Sequence, residues 1–536
     1  MVDTVEYFFR LMRTVQHLRL PQITNRIARK LRWKFLDTAP APTCRRQAQD
    51  IPLFTTRSPA WDGKHGFDIL ARREQIRDSG DWNQSDFPKL WLYHLHYFED
   101  LLRPDAGVWR DRHASLIKRW IAENPPVSGV GWDPYPISLR VVFWIKWGLS
   151  GGTLEQAMLD SLALQLRHLE NSLEYHLLGN HLWANAKALC IAGLFFEGSE
   201  ADRWYQTGLG LLERERREQI LPDGGHFERS PAYHTLILED VLDLLAISRA
   251  FGRPLTDAWT SCAKDMLHWL VAMTRDDGQI IAWNDAGTNA VPAPGNILAY
   301  AQRLGFDSSE RNHNFVYLSD SGYIRASHGP FSIWFDVAPI GPDYIPGHAH
   351  ADSLNVEIMA GGRPLVVDTG TSTYDTTARR AYERGTSAHN CVTVKNDTDS
   401  SEMWGSFRVG RRARTRLITL GPQVMGAAHD GYSRFGIEHR RTISMTGTDM
   451  IHILDELIGS PATGTLRFHL APGLATTISG TTVETPLANF EFIGALSVQL
   501  ENCEIADGFN RLKPAKKIAV TFDDNITTVI HSPGLP

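Results

Sequence analysis

The sequence predicts an α+β protein of two large domains, a helical toroid followed by an antiparallel β-sandwich. Apolar residues recur at helical spacing between about residues 85 and 310, and from about residue 316 the apolar period drops to two. A chain of 536 residues, 43% hydrophobic and 22% charged, is also too long for one small core.

The N-terminal stretch MVDTVEYFFRLMRTVQHLRLPQ interrupts its apolar residues with Arg10, Arg13, His17 and Arg19, so it lacks the unbroken run of a secretion signal. No window reaches the length of a membrane span, and a cytoplasmic protein is expected. Segment 5–35 is basic and amphipathic, with Arg26, Arg29, Lys30, Arg32 and Lys34. It suits either peripheral attachment to an anionic surface or, as the simpler expectation, docking on the helical domain. Residues 1–84 are expected to form a helical extension.

Residues 85–312 read as helix after helix. Leu116, Ile117, Trp120 and Ile121 fall at helical spacing, as do Leu154, Met158, Leu162, Leu166 and Leu169, and later Leu238, Val241, Leu242 and Leu245. Gly, Pro and Asn keep the helices short, and a series of antiparallel pairs curls into a solenoid or toroid. The boundary is expected within RLGFDSSERNHN, near 305–316, which is polar and unpatterned. Residues 313–536 then supply the β-branched or aromatic runs FSIWFDV (331–337), SLNVEIMA (353–360), NCVTVKN (390–396), MIHILDELI (450–458) and KKIAVTF (516–522). Many strands without helices between them make a sandwich.

A net charge of -6 without long runs of one sign gives no signature of nucleic-acid binding, so an anionic ligand would need a local basic groove. Cys44, Cys190, Cys262, Cys391 and Cys503 are odd in number, far apart and without a CxxC pair. Buried, reduced thiols are expected, not a disulfide framework or a thiolate metal site.

Three polar clusters interrupt the apolar pattern. Gly179-Asn180-His181 precedes an apolar helix, where Asn180 suits an N-cap and His181 a first-turn residue. In DGGHFERSPAYHTLILED (223–240), Ser230-Pro231 is a strong helix start ahead of Tyr233 and His234. The third cluster, PGHAHADSLNVEI, places His348, His350 and Asp352 on alternate positions, with Asp368 and His389 on following runs. On an extended strand His348 and His350 would point together. Two histidines, a carboxylate and a third histidine make a divalent-metal set, zinc first by donor type; a hydrogen-bonded polar network accounts for them equally well.

In their order, NH (180–181), ERSPAYH (228–234), GHAHADSLNVEI (347–358), VDTGT (367–371) and RGTSAHN (384–390) resemble the motifs of heparinase II/III-like polysaccharide lyases. LWLYHLHYFEDL (90–101) and GWDPYPISLRVVFW (131–144) are similar to substrate-groove helices of members found with bacterial exopolysaccharide genes. The resemblance spans nearly the whole chain. It implies a groove between toroid and sandwich in which Asn180 and His348 bind a uronate carboxylate while His181 and Tyr233 move protons. It also implies substrate contacts from His96, Trp132, Tyr135, Glu228, His234, Tyr374 and Arg384, while the second catalytic tyrosine of some members corresponds to Tyr374, to Tyr382 or to no residue here. In metal-binding members, the positions of His350, Asp368 and His389 hold zinc.

The implied reaction, β-elimination, removes the C5 proton of a uronate and expels the oxygen at C4. Donors on the carboxylate stabilise the enolate, a base reaches C5 and an acid reaches O4. A tyrosine serves as base if a cation such as Arg384 lowers its pKa. Two other functions compete: a metal-dependent glycan hydrolase with Asp352 as its base, and a non-catalytic glycan-binding protein of polysaccharide assembly that stacks sugars on Trp91, Tyr93, Tyr97, Trp132 and Tyr135.

Overall fold

The computed structural model describes residues 2–31, 36–307 and 314–533. Eleven helices precede the strand-rich half: α1 (Val2–Val15), α2 (Leu20–Leu31), α3 (Lys89–Leu95), α4 (Ala106–Glu123), α5 (Pro134–Leu149), α6 (Gln156–Glu170), α7 (Gly179–Phe195), α8 (Ser199–Gln219), α9 (Pro231–Ala250), α10 (Asp257–Ala272) and α11 (Pro294–Arg303). Helices α5, α7, α9 and α11 touch in sequence and form the inner row of the toroid, with α6, α8 and α10 outside them. The segment LWANAKALCIAGLF makes α7 apolar on all sides, which is why it is buried all round. Its contact with α8 depends on two glycines: a Cβ on Gly193 would meet Tyr205 N at 2.4 Å, and one on Gly208 would meet Cys190 N at 2.4 Å.

Charge is buried where the inner helices meet. Lys146 on α5 donates to Asp243 Oδ2 on α9 at 2.9 Å, and Lys187 on α7 reaches the same oxygen at 3.3 Å. Lys187 also pairs with Asp240, and Tyr300 on α11 donates to Asp243 at 3.2 Å. This one carboxylate therefore ties four inner helices together.

The segment before the toroid departs from the expected helical extension. Only α1 and α2 are helical; residues 36–65 run as irregular chain over the toroid, and β1 (Gly66–Ile69) pairs with β2 (Arg72–Gln75). The reason is local: DTAPAPT has no helical period and two prolines. Arg167 fixes this strap by donating to the carbonyls of Asp37, Ala39 and Pro40. Nor does α1 dock on the toroid. It lies against the sandwich, where Arg10 and Arg13 pair with Glu402 and Trp404 Nε1 donates to Thr14 Oγ1 at 3.0 Å. Residues 32–35, including the expected basic Arg32 and Lys34, lie outside the described residues, as do 308–313 in the expected domain boundary. No helix among the described residues is long and apolar enough to cross a membrane.

Beyond the boundary, β3 (Phe315–Leu318), β4 (Tyr323–His328), β5 (Phe331–Asp336), β6 (Val356–Ala360) and β7 (Arg363–Val366) form an antiparallel meander. A larger antiparallel sheet packs on it. It contains β8 (Val392–Val394), then β11 (Thr415–Thr419), β12 (Val424–His429), β13 (Ile437–Thr446), β14 (Met450–Gly459), β15 (Thr463–His469), β16 (Thr477–Ser479), β17 (Thr482–Glu484), β18 (Asn489–Ala506) and β19 (Leu512–His531). Between them lie helix α12 (Ala378–Glu383) and a small hairpin of β9 (Met403–Trp404) and β10 (Arg408–Val409). Alternation places Ile333, Phe335, Val356 and Ile358 against Ile453, Phe468 and Val520 in the sandwich core. No cysteine is in a disulfide, but Cys44 is exposed on the irregular strap and Cys503 is partly so, against the expectation of burial.

Replacing Asp243 with Asn leaves Lys146 and Lys187 buried with one acceptor charge fewer. We expect a loss of about 3–5 kcal/mol in urea unfolding, the usual cost of breaking a buried pair.

Candidate active site

The site forms where the N-termini of α7 and α9 face the loop between β5 and β6. Leu178 (φ +63°) and Gly179 (φ +54°) turn the chain into α7, and a Cβ on Gly179 would lie 2.8 Å from Glu228 Oε1. The N-cap of α7 is Leu178, so Asn180 is not the expected cap. It is the second residue of the helix, where its amide Nδ2 and its backbone N–H both donate to Glu228 Oε1 at 3.2 Å. Ser230 does cap α9, accepting from Tyr233 N at 3.3 Å ahead of Pro231. This start projects Tyr233 into the cleft.

His348 completes the cluster. Its ring centroid is 4.1 Å from that of Tyr233, its Nε2 is 3.5 Å from Glu228 Oε2, and Tyr233 Oη is 3.3 Å from Tyr374 Oη. His181 stands at the edge, packed on Tyr135 at 4.5 Å, with its Nδ1 3.2 Å from Glu174 Oε1. Asn180, Tyr135, His181, Glu228, Tyr233, His348 and Tyr374 are thus brought together.

Behind them is a residue the sequence reading did not select. Asp285, on the turn Trp283-Asn284-Asp285 of the toroid, is completely buried. Its Oδ2 meets His348 Nδ1 at 2.8 Å and its Oδ1 meets His350 Nε2 at 2.9 Å, while Arg380 of α12 forks onto both oxygens. Burial would raise the Asp285 pKa, but Arg380 and the two histidines hold it well below the usual carboxylate value. An ionised carboxylate only accepts, so His348 carries a proton on Nδ1 and His350 one on Nε2. Neighbouring Asn284, at φ +57°, accepts from His350 N and donates to the Arg229 carbonyl, fixing both sides of the groove. The sequence signal was slight: one Asn-Asp pair beside a tryptophan.

Several expected contacts are elsewhere. His348 and His350 do not alternate on a strand; Pro346–His348 is a single 3-10 turn, β6 begins at Val356, and the two rings converge on opposite oxygens of Asp285. His96 is wholly buried, bonded to Trp82 O and Trp120 Nε1, and burial pushes it down to about 3. His234 is likewise a core histidine stacked on Trp269, and Trp132 packs on Trp120. Their apolar neighbours at helical spacing account for this burial. Arg384 donates to the carbonyls of Ala349, Gly405 and Arg408, so it props the loop bearing His348 and faces no sugar. It does not lower a tyrosine pKa either: burial raises Tyr233 and Tyr374 well above the ordinary phenol value. Tyr382 faces His469, leaving Tyr374 as the second tyrosine of the site. Trp91 and Tyr97 are core residues as well.

The expected metal trio is only partly assembled. Asp368 accepts from His389 Nδ1 at 2.7 Å, Asn355 Nδ2 at 2.6 Å and Gly370 N at 2.8 Å. That leaves His389 Nε2 and His350 Nδ1, both buried and without a hydrogen-bond partner, on rings whose centroids are 5.3 Å apart. Each histidine has its other nitrogen on a carboxylate, the usual arrangement behind a metal-bound imidazole. Asp352 Oδ2 is also buried without a partner. Among the described residues, no three His, Cys, Asp or Glu side chains are arranged to hold an ion. The fit is therefore to two imidazole donors, with Asp368 behind one of them.

Comparison with known proteins agrees with this layout. Residues 119–300 match the family profile described as Heparinase II/III N-terminus, and residues 310–531 the one described as Heparinase II/III-like, C-terminal. A heparin-sulfate lyase of Bacteroides stercoris is 24% identical over 318 residues, covering 55% of this chain and 46% of the relative. FtsZ-localized protein C of Caulobacter vibrioides is 23% identical over 425 residues, covering 72% and 70%. The chain spans about half the length of the heparin-sulfate lyases it matches. A crystal structure of heparinase III superposes with a TM-score of 0.70 at 19% identity, covering 86% of this chain and 80% of that one, and so shares the fold.

His181 and Glu174 give a pH signature. Burial alone would lower the His181 pKa, but the Glu174 carboxylate raises it above 6.5. A raised folded value means that its contribution to stability is whole below pH 6.5 and is lost as pH climbs through the folded pKa. Melting temperature should therefore fall as pH rises above 6.5, and His181→Gln should flatten that limb.

Proposed function

The chain belongs to the heparinase II/III-like family, and on that premise we propose that it is a polysaccharide lyase acting on a uronate-containing polymer by β-elimination. The observation that carries this reading is the convergence of Asn180, His181, Tyr233 and His348 on one cleft between toroid and sandwich. The B. stercoris relative is named a heparin-sulfate lyase. Here Arg380 and Arg384 are committed to Asp285 and to backbone carbonyls, so neither is free to pair with substrate sulfates. An unsulfated uronate polymer, as in a bacterial exopolysaccharide, needs no such pairing.

Asn180 and His348 flank the position for the substrate carboxylate, with Glu228 holding the Asn180 amide. Asp285 fixes the His348 ring, so the donor geometry exists before the enolate forms. The raised pKa of Tyr233 keeps it a phenol at neutral pH, which suits the acid that protonates O4 as the C4–O4 bond breaks. His181, backed by Glu174, takes the C5 proton, and the electron pair left behind forms the C4=C5 bond as O4 departs.

A divalent ion, zinc first by donor type, belongs to the same proposal. It would be held by His350 and His389 and would stiffen the wall that carries His348. The hydrolase reading finds less support, because Asp352, its candidate base, is only 2% exposed.

A screen of uronate polysaccharides for the ultraviolet absorbance of the new C=C–carboxylate separates these readings. New reducing ends without absorbance mean hydrolysis, and no cleavage of any acidic glycan means the binding role. In the lyase, Tyr233→Phe should lower turnover about a hundredfold or more with unchanged melting, and the wild-type rate should rise as His181 loses its proton. If a metal is held, purified protein contains close to one equivalent by elemental analysis and His350→Ala loses it, whereas His348→Ala keeps the metal; both variants lower melting temperature and activity, because each takes a partner from the buried Asp285.

A further inference from the structure

Helices α1 and α2 carry apolar side chains that nothing in the fold covers. Phe8, Phe9 and Met12 on α1 and Leu20, Ile23 and Ile27 on α2 are 42% to 71% exposed. On α2 the usual order is inverted. Polar Gln22 is the residue turned inward, 5% exposed and donating to the Tyr344 carbonyl, while Leu20, Ile23 and Ile27 share the outer face. A helix tethered by its polar side and presenting its apolar side outward has the form of an interfacial helix.

The charge around this face identifies what it fits. Between residues 6 and 28 the two helices and their turn carry Arg10, Arg13, Arg19 and Arg26 against Glu6 alone, in a chain of net charge -6. Where α1 meets the sandwich, Glu402 is shared by Arg10, Arg13 and Arg411. Burial and the nearby Arg434, Arg13 and Arg10 hold the Arg411 pKa below its ordinary value, although Glu402 opposes them. Arg412 and Arg414 act in the same way on His17 after its burial, with Asp343 opposing. The apolar face is therefore bordered by a positive rim. A second copy of the chain would bring two such rims together, whereas a negatively charged lipid surface neutralises them.

We propose that the α1–α2 hairpin docks this protein onto an anionic lipid bilayer, inserting Phe8, Phe9, Met12, Leu20, Ile23 and Ile27 below the headgroups. The attachment bears on the groove through a short chain of contacts. Tyr7 packs on Trp404 at 5.7 Å and Thr14 donates to the Val409 carbonyl, so α1 braces the β9–β10 hairpin. The turn of that hairpin places Phe407 6.0 Å from the His348 ring. Docking would hold the groove beside the membrane surface. The proposal stands independently of the lyase reading.

The test is co-sedimentation of the full chain with vesicles of phosphatidylcholine alone and of phosphatidylcholine with phosphatidylglycerol. Binding to the anionic vesicles should be about tenfold tighter or more, and should weaken in high salt. The double variant Phe8→Asp, Phe9→Asp should lose binding to both while melting like the wild type, since both side chains are exposed in the fold. Arg26→Glu should weaken only anionic binding. Failure to sediment with anionic vesicles, or equal sedimentation by the double variant, overturns the proposal. So does a stable dimer in solution that the double variant dissolves, because the face would then belong to a second copy.

Discussion

Asp285 would be costly to bury alone, and the structure surrounds it with compensation from both domains. Arg380 comes from the sandwich side, as do His348 and His350, while Asp285 itself sits on a toroid turn. The carboxylate is thus the electrostatic pin of the domain junction, and an ion pair without solvent is strong only when every partner is in place. Moving the domains apart at this point would expose two histidines and an arginine to one another without their common anion. That makes the groove a rigid feature of the folded molecule, suited to chemistry that needs donors fixed in advance.

The same pin sets the chemistry of the two histidines. Sharing one acceptor forces opposite assignments: His348 is protonated on Nδ1 and His350 on Nε2. The Nε2 of His348 then faces the cleft and Glu228, while the Nδ1 of His350 faces His389 inside the protein. Two imidazoles separated by one residue acquire different roles through the ring atom each gives to Asp285. The raised pKa of the Tyr233 and Tyr374 phenols follows from the same crowding, because burial and the Asp285 charge both oppose a phenolate there.

Much of this was legible in the sequence, for reasons that can be stated residue by residue. The change of period from helical to two places strands from Phe315 onward, after α11 ends at Arg303, and Ser230-Pro231 opens α9 as its capping chemistry requires. Motif order named Asn180, His181, Tyr233 and His348, and the structure places these four side chains near one another. What pattern cannot show is which of several polar residues on apolar helices faces the cleft. His96 and His234 look like site histidines in sequence, yet each faces the core, where His96 is bonded to Trp82 O and Trp120 Nε1 and His234 to Met266 O. Asp285 was missed for the converse reason: it comes from a turn with no periodicity, and its importance arises only from partners 63 to 95 residues away.

The N-terminal helices show a different limit of sequence reasoning. Their amphipathic pattern was readable, but amphipathicity alone does not say which face the protein takes. Here the basic and polar side is bonded inward, through Arg13 to Glu402 and Gln22 to Tyr344, so the apolar side is left outward. Both family profiles begin after this segment, the earlier at residue 119. Yet the segment is not a loose appendage. Arg13, Thr14 and Trp404 bind it to the hairpin whose turn lies against His348 and Tyr374. A force or binding event at the outer face of α1 is therefore two contacts away from the groove wall, which ties where the protein attaches to how its site is held.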